Sequence, residues 1–134
     1  MMNILIPMAG EGSRFKINGY ELPKPLIEVD GKQMIKRAIE TLGIEGHYIF
    51  VVRKYNDEKN NEHIRTTLKE IVPKCDIIEI GELTNGSAET CLKAKELINN
   101  KDELIITNCD QLMEWDSTLF MNFIKNDMDG AVVT

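Results

Sequence analysis

Short apolar segments rich in Ile and Val alternate with segments of helical period along the chain, and this alternation restricts the possible folds most strongly. The apolar segments that predict buried strands are residues 3–8, 48–52, 76–80, 103–107 and 131–134. Between them, apolar residues recur at helical spacing within 34–42, 64–71, 88–98 and 119–124. Strands that are apolar on both faces and alternate with amphipathic helices predict right-handed crossovers. We therefore predict an α/β fold that is doubly wound, with a mostly parallel sheet and helices on both faces.

The length and composition fit one such Rossmann-like domain. The chain has 134 residues, of which 43% are hydrophobic and 28% charged, and this length supports a single core. We therefore expect residues 1–134 to belong to one domain. A last strand at 131–134, with no helix or turn signal after it, leaves two interpretations open. Either a longer natural protein continues past this point, or the last strand lies at the sheet edge.

Charge and hydropathy exclude several classes of function. The chain carries 16 Lys+Arg against 22 Asp+Glu, and the resulting net charge of -6 opposes binding to nucleic acid. Its apolar runs are far shorter than the roughly 18 residues that a membrane-spanning helix needs, so we expect no membrane partner. We find no export signal and no paired spacing among the three cysteines, which predicts a reducing cytoplasm.

Unusual residues follow the predicted strands. In an open parallel sheet, ligands bind beyond the carboxyl ends of the strands, so we expect these segments to line one rim. After the first strand, Gly10 and Gly12 allow the backbone N–H groups to approach an anion, and Arg14 adds positive charge. After the second strand, Arg53 and Lys54 either attract phosphates or form a solvated surface pair, and we favour the surface pair.

Two familiar phosphate-binding patterns do not fit the first loop. The dinucleotide fingerprint requires a glycine where Phe15 stands, followed at once by a helix, and Pro23 and Pro25 interrupt that region. The P-loop pattern requires a Gly-Lys-Ser/Thr sequence, which is absent from this loop. Lys24 stands between the two prolines, which restrict its backbone and reduce the entropy lost on presenting its ammonium group to the rim.

These residues resemble a known family. The sequences at 10–15 (GEGSRF) and 23–26 (PKPL) are similar to the signature of the sugar-1-phosphate nucleotidylyltransferases, the nucleoside-diphosphate-sugar pyrophosphorylases. Residues 86–88 (GSA) resemble that family's loop near the nucleotide base, and 108–110 (NCD) resemble its metal-binding aspartate motif. The resemblance covers essentially the whole chain but only the amino-terminal, nucleotide-binding part of the family. In the family, most sugar-binding residues and a second metal-binding aspartate come later.

The resemblance implies a set of site residues. Arg14 and Lys24 would be the catalytic residues, with Arg14 on the departing phosphates and Lys24 near the α-phosphate. Asp110 would bind Mg²⁺. The nucleotide would be bound by Ala9, Gly10, Gly12, Ser13, Gly86 and Ser87, although Gly86 and Ser87 have a simpler interpretation as a helix cap.

The implied reaction joins a sugar-1-phosphate to a nucleoside triphosphate and releases pyrophosphate. These two compounds would be the substrates, and Mg²⁺ would be the cofactor. The resemblance also implies a cytoplasmic pathway that supplies polysaccharide precursors. Two alternatives stay open: a nucleotide-binding module without turnover, and a nucleotidylyltransferase that acts on phosphocholine or a polyol phosphate. A nicotinamide-dependent oxidoreductase ranks third. The sequence leaves the sugar, the base and assembly into a homo-oligomer undetermined.

Overall fold

The computed structural model describes residues 1–9, 26–29, 31–82, 84–125 and 128–133. The strands within these ranges are β1 (Asn3–Met8), β2 (Glu28–Val29), β3 (Lys32–Gln33), β4 (His47–Arg53), β5 (Cys75–Ile80) and β6 (Leu104–Ile106). The helices are α1 (Met34–Leu42), α2 (Glu58–Ile71), α3 (Ser87–Leu92), α4 (Lys95–Ile98) and α5 (Ser117–Ile124).

The central sheet has four strands in the order β5-β4-β1-β6. Its three strand pairs are all parallel, with Ile4 opposite Tyr48 and Ile105, and Phe50 opposite Ile77. Parallel neighbours require crossover connections, and helices supply them between the successive strands. The predicted α/β, Rossmann-like class is confirmed. β2 and β3 form a separate antiparallel pair that the sequence pattern did not predict.

The core lies on both faces of this sheet. Ile4, Ile6 and Phe50 belong to one buried cluster, whereas Leu5 and Ile49 belong to another. Helices complete the first cluster through Ile35, Leu42, Ile64, Leu68 and Phe120, and the second through Cys91, Leu97 and Ile98, with Ala94 from the turn between α3 and α4. Because side chains alternate between the faces of a strand, apolar residues at every position require cover on both sides. The predicted doubly wound arrangement is therefore present.

The helix ends follow local sequence signals. Asp57 caps α2 by accepting a hydrogen bond from the Lys59 N–H at 2.9 Å, and Asp116 caps α5 in the same way through the Thr118 N–H at 3.0 Å. Gly43 ends α1 in the left-handed conformation, with φ 63°, which glycine adopts without steric cost.

Two predictions about secondary structure are wrong. Residues 131–133 form no strand, and Val132 is 88% exposed, because the described part of the chain offers it neither a strand neighbour nor a packing surface. The segment 88–98 is not one helix but two, since a turn at Lys93 and Ala94 separates α3 from α4. Within the described residues, no helix has both the length and the apolar character needed to cross a membrane.

Candidate functional site

The carboxyl ends of the four parallel strands meet at one edge of the sheet. Met8 of β1 lies opposite Val52 of β4, and Arg53 lies opposite Ile80 of β5. β4 and β5 lie on one side of β1, and β6 pairs with the other side. The strand order therefore reverses between β1 and β6. Such a switch point opens a crevice outside the strand ends, where α/β proteins bind ligands.

Ala9 lies at the carboxyl end of β1, beside this switch point. It follows β1 directly and is 4% exposed, so its backbone lies at the edge of the core. The residues that the sequence places next, Gly10, Gly12, Ser13 and Arg14, lie outside the described residues. Lys24 also lies outside them, so the predicted convergence of Arg14 and Lys24 with Asp110 stays a prediction.

The loop after β6 leaves the sheet on the other side of this switch point. The Thr107 N–H donates to the Leu5 carbonyl at 3.1 Å, which extends the pairing with β1 beyond the strand. Cys109 is 6% exposed and belongs to the core, whereas the adjacent Asp110 is exposed. The buried cysteine thus fixes the loop while the next residue presents its carboxylate at the surface.

The segment after Asp110 is anchored on the end of α1. The Met113 N–H donates to Thr41 Oγ1 at 2.9 Å, and the indole N–H of Trp115 lies 3.2 Å from the carbonyls of Thr41 and Leu42. The last carbonyls of a helix have no partner within it, so these contacts satisfy groups that would otherwise need water. The ring of Trp115 also packs against Phe120 of α5, with 4.8 Å between the two ring centroids.

The loop after β5 brings Gly86 and Ser87 to the start of α3. Gly86 occupies the N-cap position with no side-chain cap, and Ser87 is the first helical residue. The loop is held from within the helix: Glu89 accepts from the Asn85 N–H at 2.7 Å, and Thr90 Oγ1 donates to the Gly86 carbonyl at 3.1 Å. The helix-cap interpretation therefore holds for the position of Gly86, whereas contact of Gly86 and Ser87 with a nucleotide base stays a prediction.

Arg53 at the end of β4 is half-buried and lies against an aromatic ring. Its guanidinium carbon lies 5.5 Å from the centroid of the Tyr55 ring, within range of a cation–π contact. Asn61 is 4% exposed and holds Tyr55 by both backbone groups, accepting from its N–H at 2.7 Å and donating to its carbonyl at 2.9 Å. Burial raises the pKa of the Tyr55 phenol, and the nearby positive charge of Arg53 acts in the opposite direction.

Asp110 is the predicted metal ligand within the described residues. No cluster of three or more His, Cys, Asp or Glu side chains that could hold a metal occurs in this part of the chain. Mg²⁺ usually binds through one or two carboxylates together with substrate phosphates and water. An exposed carboxylate beside the crevice fits that kind of shared site, in which the nucleotide supplies ligands.

Sequence reasoning missed the residues that hold these loops in place. Thr41, Trp115 and Asn61 act through hydrogen bonds to the backbone. Thr41 and its partner Met113 are 72 positions apart, so no spacing signal links them. For Asn61, the polar stretch after β4 offered a weak signal, because a buried asparagine on a helix needs nearby backbone partners.

Comparisons with known proteins agree with this architecture. A family model described as Nucleotidyl transferase matches residues 4–134. The bifunctional protein GlmU of Methanocaldococcus jannaschii is 29% identical over 140 residues, which cover 98% of this chain and 32% of GlmU.

Two solved structures show the same fold. The nucleoside-diphosphate-sugar pyrophosphorylase of Vibrio cholerae has a TM-score of 0.64 at 28% identity, covering 80% of this chain and 47% of its own. HddC of Yersinia pseudotuberculosis has a TM-score of 0.69 at 25% identity, covering 96% of this chain and 55% of its own. The chain thus spans about a third of the length of GlmU and about half of the two solved proteins.

The resemblance found in the sequence is confirmed at the level of the family. Because the family model matches nearly the whole chain, the protein belongs to the Nucleotidyl transferase family.

Proposed function

We propose that residues 1–134 form the nucleotide-binding part of a single nucleotidyltransferase domain that transfers a nucleotidyl group to a sugar-1-phosphate. The observation that carries this proposal is the reversal of strand order between β1 and β6. The glycine-containing loop after Ala9 and the loop bearing Asp110 leave the sheet on either side of that reversal. The pyrophosphorylase named in the Vibrio cholerae structure supports the choice of sugar-1-phosphate as acceptor.

In this proposal a phosphate oxygen of the sugar-1-phosphate attacks the α-phosphorus of the nucleoside triphosphate. The bond between the α-phosphorus and its bridging oxygen breaks, and pyrophosphate leaves. Positioning and stabilisation of negative charge supply the catalysis of such a transfer. Arg14 would bind the departing phosphates through its planar fork, and Lys24 would place a compact charge at the α-phosphate.

The remaining roles are those that the resemblance to the family implies. Asp110 would bind Mg²⁺, which when present neutralises charge on the phosphates. Ala9, Gly10, Gly12 and Ser13 would present backbone N–H groups to the nucleotide. Gly86 and Ser87 would contact the base, which the exposed position of both residues supports.

Ligand-induced stabilisation of the purified chain tests the nucleotide site. At least one of the common nucleoside triphosphates, added with Mg²⁺, should raise the melting temperature, because ligand at a hundred times its Kd adds about 2.7 kcal/mol to stability. Arg14→Gln should lose most of this shift, whereas Lys36→Gln, which removes the same charge from an exposed position on α1, should keep it. An unchanged melting temperature with all triphosphates would refute the proposed nucleotide site.

Turnover is tested separately by following pyrophosphate release with a panel of sugar-1-phosphates, phosphocholine and polyol phosphates. Removal of Arg14 or Lys24 should lower an observed rate on the order of 100-fold or more. The second candidate function is a nucleotide-binding module without turnover, which is favoured by the chain's span of about half the solved relatives. Binding without pyrophosphate release from any acceptor would support that second function.

A further inference from the structure

Arg53 occupies a position at the sheet edge that the described residues around it do not explain. It is the last residue of β4, and the register that pairs Met8 with Val52 makes Ala9 and Arg53 the next residues along the two strands. Its Nη1 atom is buried, and no described residue accepts a hydrogen bond from it. A charged donor that is removed from water without an acceptor is costly, so such an atom in a native structure requires an explanation.

The guanidinium is held in place by its neighbours. Tyr55 lies against it at 5.5 Å, and Asn61 fixes Tyr55 through two hydrogen bonds to its backbone. A guanidinium carries five N–H donors in a planar fork, and the aromatic ring supplies no oxygen acceptor for them. In the described part of the chain, no carboxylate lies within salt-bridge distance of Arg53, so no protein anion there competes for those donors.

We propose that Arg53 is a phosphate-binding residue, whose guanidinium donates to phosphate oxygens of a substrate bound at the end of β1. This inference rests on the proposed function and adds a residue to its site. The planar fork of arginine matches two oxygens of one phosphate group, and its position next to Ala9 brings it beside the loop that is proposed to bind the nucleotide. The phosphate belongs either to the nucleoside triphosphate or to the phosphorylated acceptor.

Three variants separate this role from a general charge effect. Arg53→Gln removes the charge and the fork, and Arg53→Lys keeps the charge but loses the fork. Lys54→Gln removes one positive charge from the adjacent, exposed position and serves as the matched control. Circular dichroism and melting without ligand show whether each variant folds. If Arg53→Gln does not fold, the comparison of Arg53→Lys with the unaltered chain still tests the role of the guanidinium.

Binding is measured by isothermal titration calorimetry of the full chain with three probes, each in the presence of Mg²⁺. The probes are a nucleoside triphosphate, inorganic tripolyphosphate and a sugar-1-phosphate. We expect Arg53→Gln to weaken binding of at least one probe by about 10-fold or more, with a smaller loss for Arg53→Lys and less than about 2-fold for Lys54→Gln. The probe that loses affinity identifies which substrate the residue contacts.

The outcomes distinguish this inference from the proposed function. Unchanged affinity of folded Arg53→Gln for all probes, or an equal loss in Lys54→Gln, overturns the role of Arg53 and leaves the nucleotide site intact. Binding of tripolyphosphate that depends on Arg53, without binding of any nucleoside triphosphate, supports the residue's role and refutes the proposed function. Absence of binding of every probe to the unaltered chain overturns both.

Discussion

Asn61 holds Tyr55 by both of its backbone polar groups, with hydrogen bonds of 2.7 Å and 2.9 Å. The asparagine is on α2 and is 4% exposed, so the contact joins the helix to the chain that leaves β4. It acts in place of a neighbouring strand, whose backbone would satisfy the same two groups. The segment held in this way gives Arg53 its aromatic surface at the edge of the sheet.

Asn61→Ala should therefore destabilise the protein. The substitution leaves the N–H and carbonyl of Tyr55 without their side-chain partner, and we expect a loss of about 1–3 kcal/mol in the free energy of unfolding. Urea denaturation measures it. Asn60→Ala, on the same helix turn, is the control and should change stability by less than about 0.5 kcal/mol. Equal effects of the two substitutions would contradict the proposed clamp.

Gly46→Ala should also destabilise the fold, for a steric reason. A Cβ atom at Gly46 would lie 2.5 Å from the carbonyl oxygen of Met2, which accepts a hydrogen bond from the His47 N–H. Relief of that overlap requires the start of β4 to move away from β1, at a cost of about 1–3 kcal/mol. Gly81→Ala is the control, because a Cβ atom there meets no described heavy atom within 4 Å. Thermal melting of both variants checks the difference.

Gly86→Ala should leave the fold unchanged and weaken nucleotide binding. A Cβ atom at Gly86 meets no heavy atom of the described residues within 4 Å, and the residue has extended backbone that alanine also adopts. If the nucleotide base lies against this glycine, the added methyl group would occupy part of its space. We expect an unaltered melting temperature without ligand and an increase in Kd of about 10-fold. Unaltered affinity would exclude a close contact between Gly86 and the base.

Trp115→Phe should weaken the anchor of the loop that carries Asp110. Phenylalanine keeps an aromatic contact with Phe120 but loses the N–H that faces the carbonyls of Thr41 and Leu42. We expect a stability loss of about 1 kcal/mol by urea denaturation and weaker Mg²⁺-dependent nucleotide binding.

A second pair of variants tests the same anchor at its other end. Thr41→Val removes the acceptor for the Met113 N–H and should reproduce the effect of Trp115→Phe on binding, whereas Thr41→Ser keeps the hydroxyl and should not. A normal metal dependence in both Trp115→Phe and Thr41→Val would show that the anchor does not position Asp110.

Acid should remove the stabilisation that Glu58 contributes. Hydrogen bonds from Arg65 and then Asn61 lower the pKa of the Glu58 carboxyl in the folded protein. A lowered folded-state pKa means that the contribution is complete above the unfolded value of about 4.3 and is lost as the pH falls through the lower folded value. Melting from pH 6 to pH 3 should therefore fall more steeply for the unaltered chain than for Glu58→Gln. Glu62→Gln, an exposed glutamate of the same helix, should keep the steep profile.

The sequence indicated the elements of the sheet but not all of their partners. Residues 3–8 are apolar at every position, and burial on both faces was predictable because strand side chains alternate. No strand forms at 131–133, because residues of high β-propensity form a strand only where a neighbouring strand supplies hydrogen bonds. The sequence predicted one helix where the structure has the two short helices α3 and α4. The spacing of apolar residues at 88–98 contains no signal for the turn that separates them.

The motifs around Ala9, Gly86 and Asp110 and the family resemblance were readable from the amino-acid sequence alone, because they depend on residue type and close spacing. Tertiary structure alone decided the strand order that opens the crevice between β1 and β6. It also decided the anchoring of Trp115 on α1 and the contact of the Arg53 guanidinium with the Tyr55 ring. Those features depend on atoms that approach one another only in the folded protein. Their partners are set when the core packs, because buried polar groups then need hydrogen bonds.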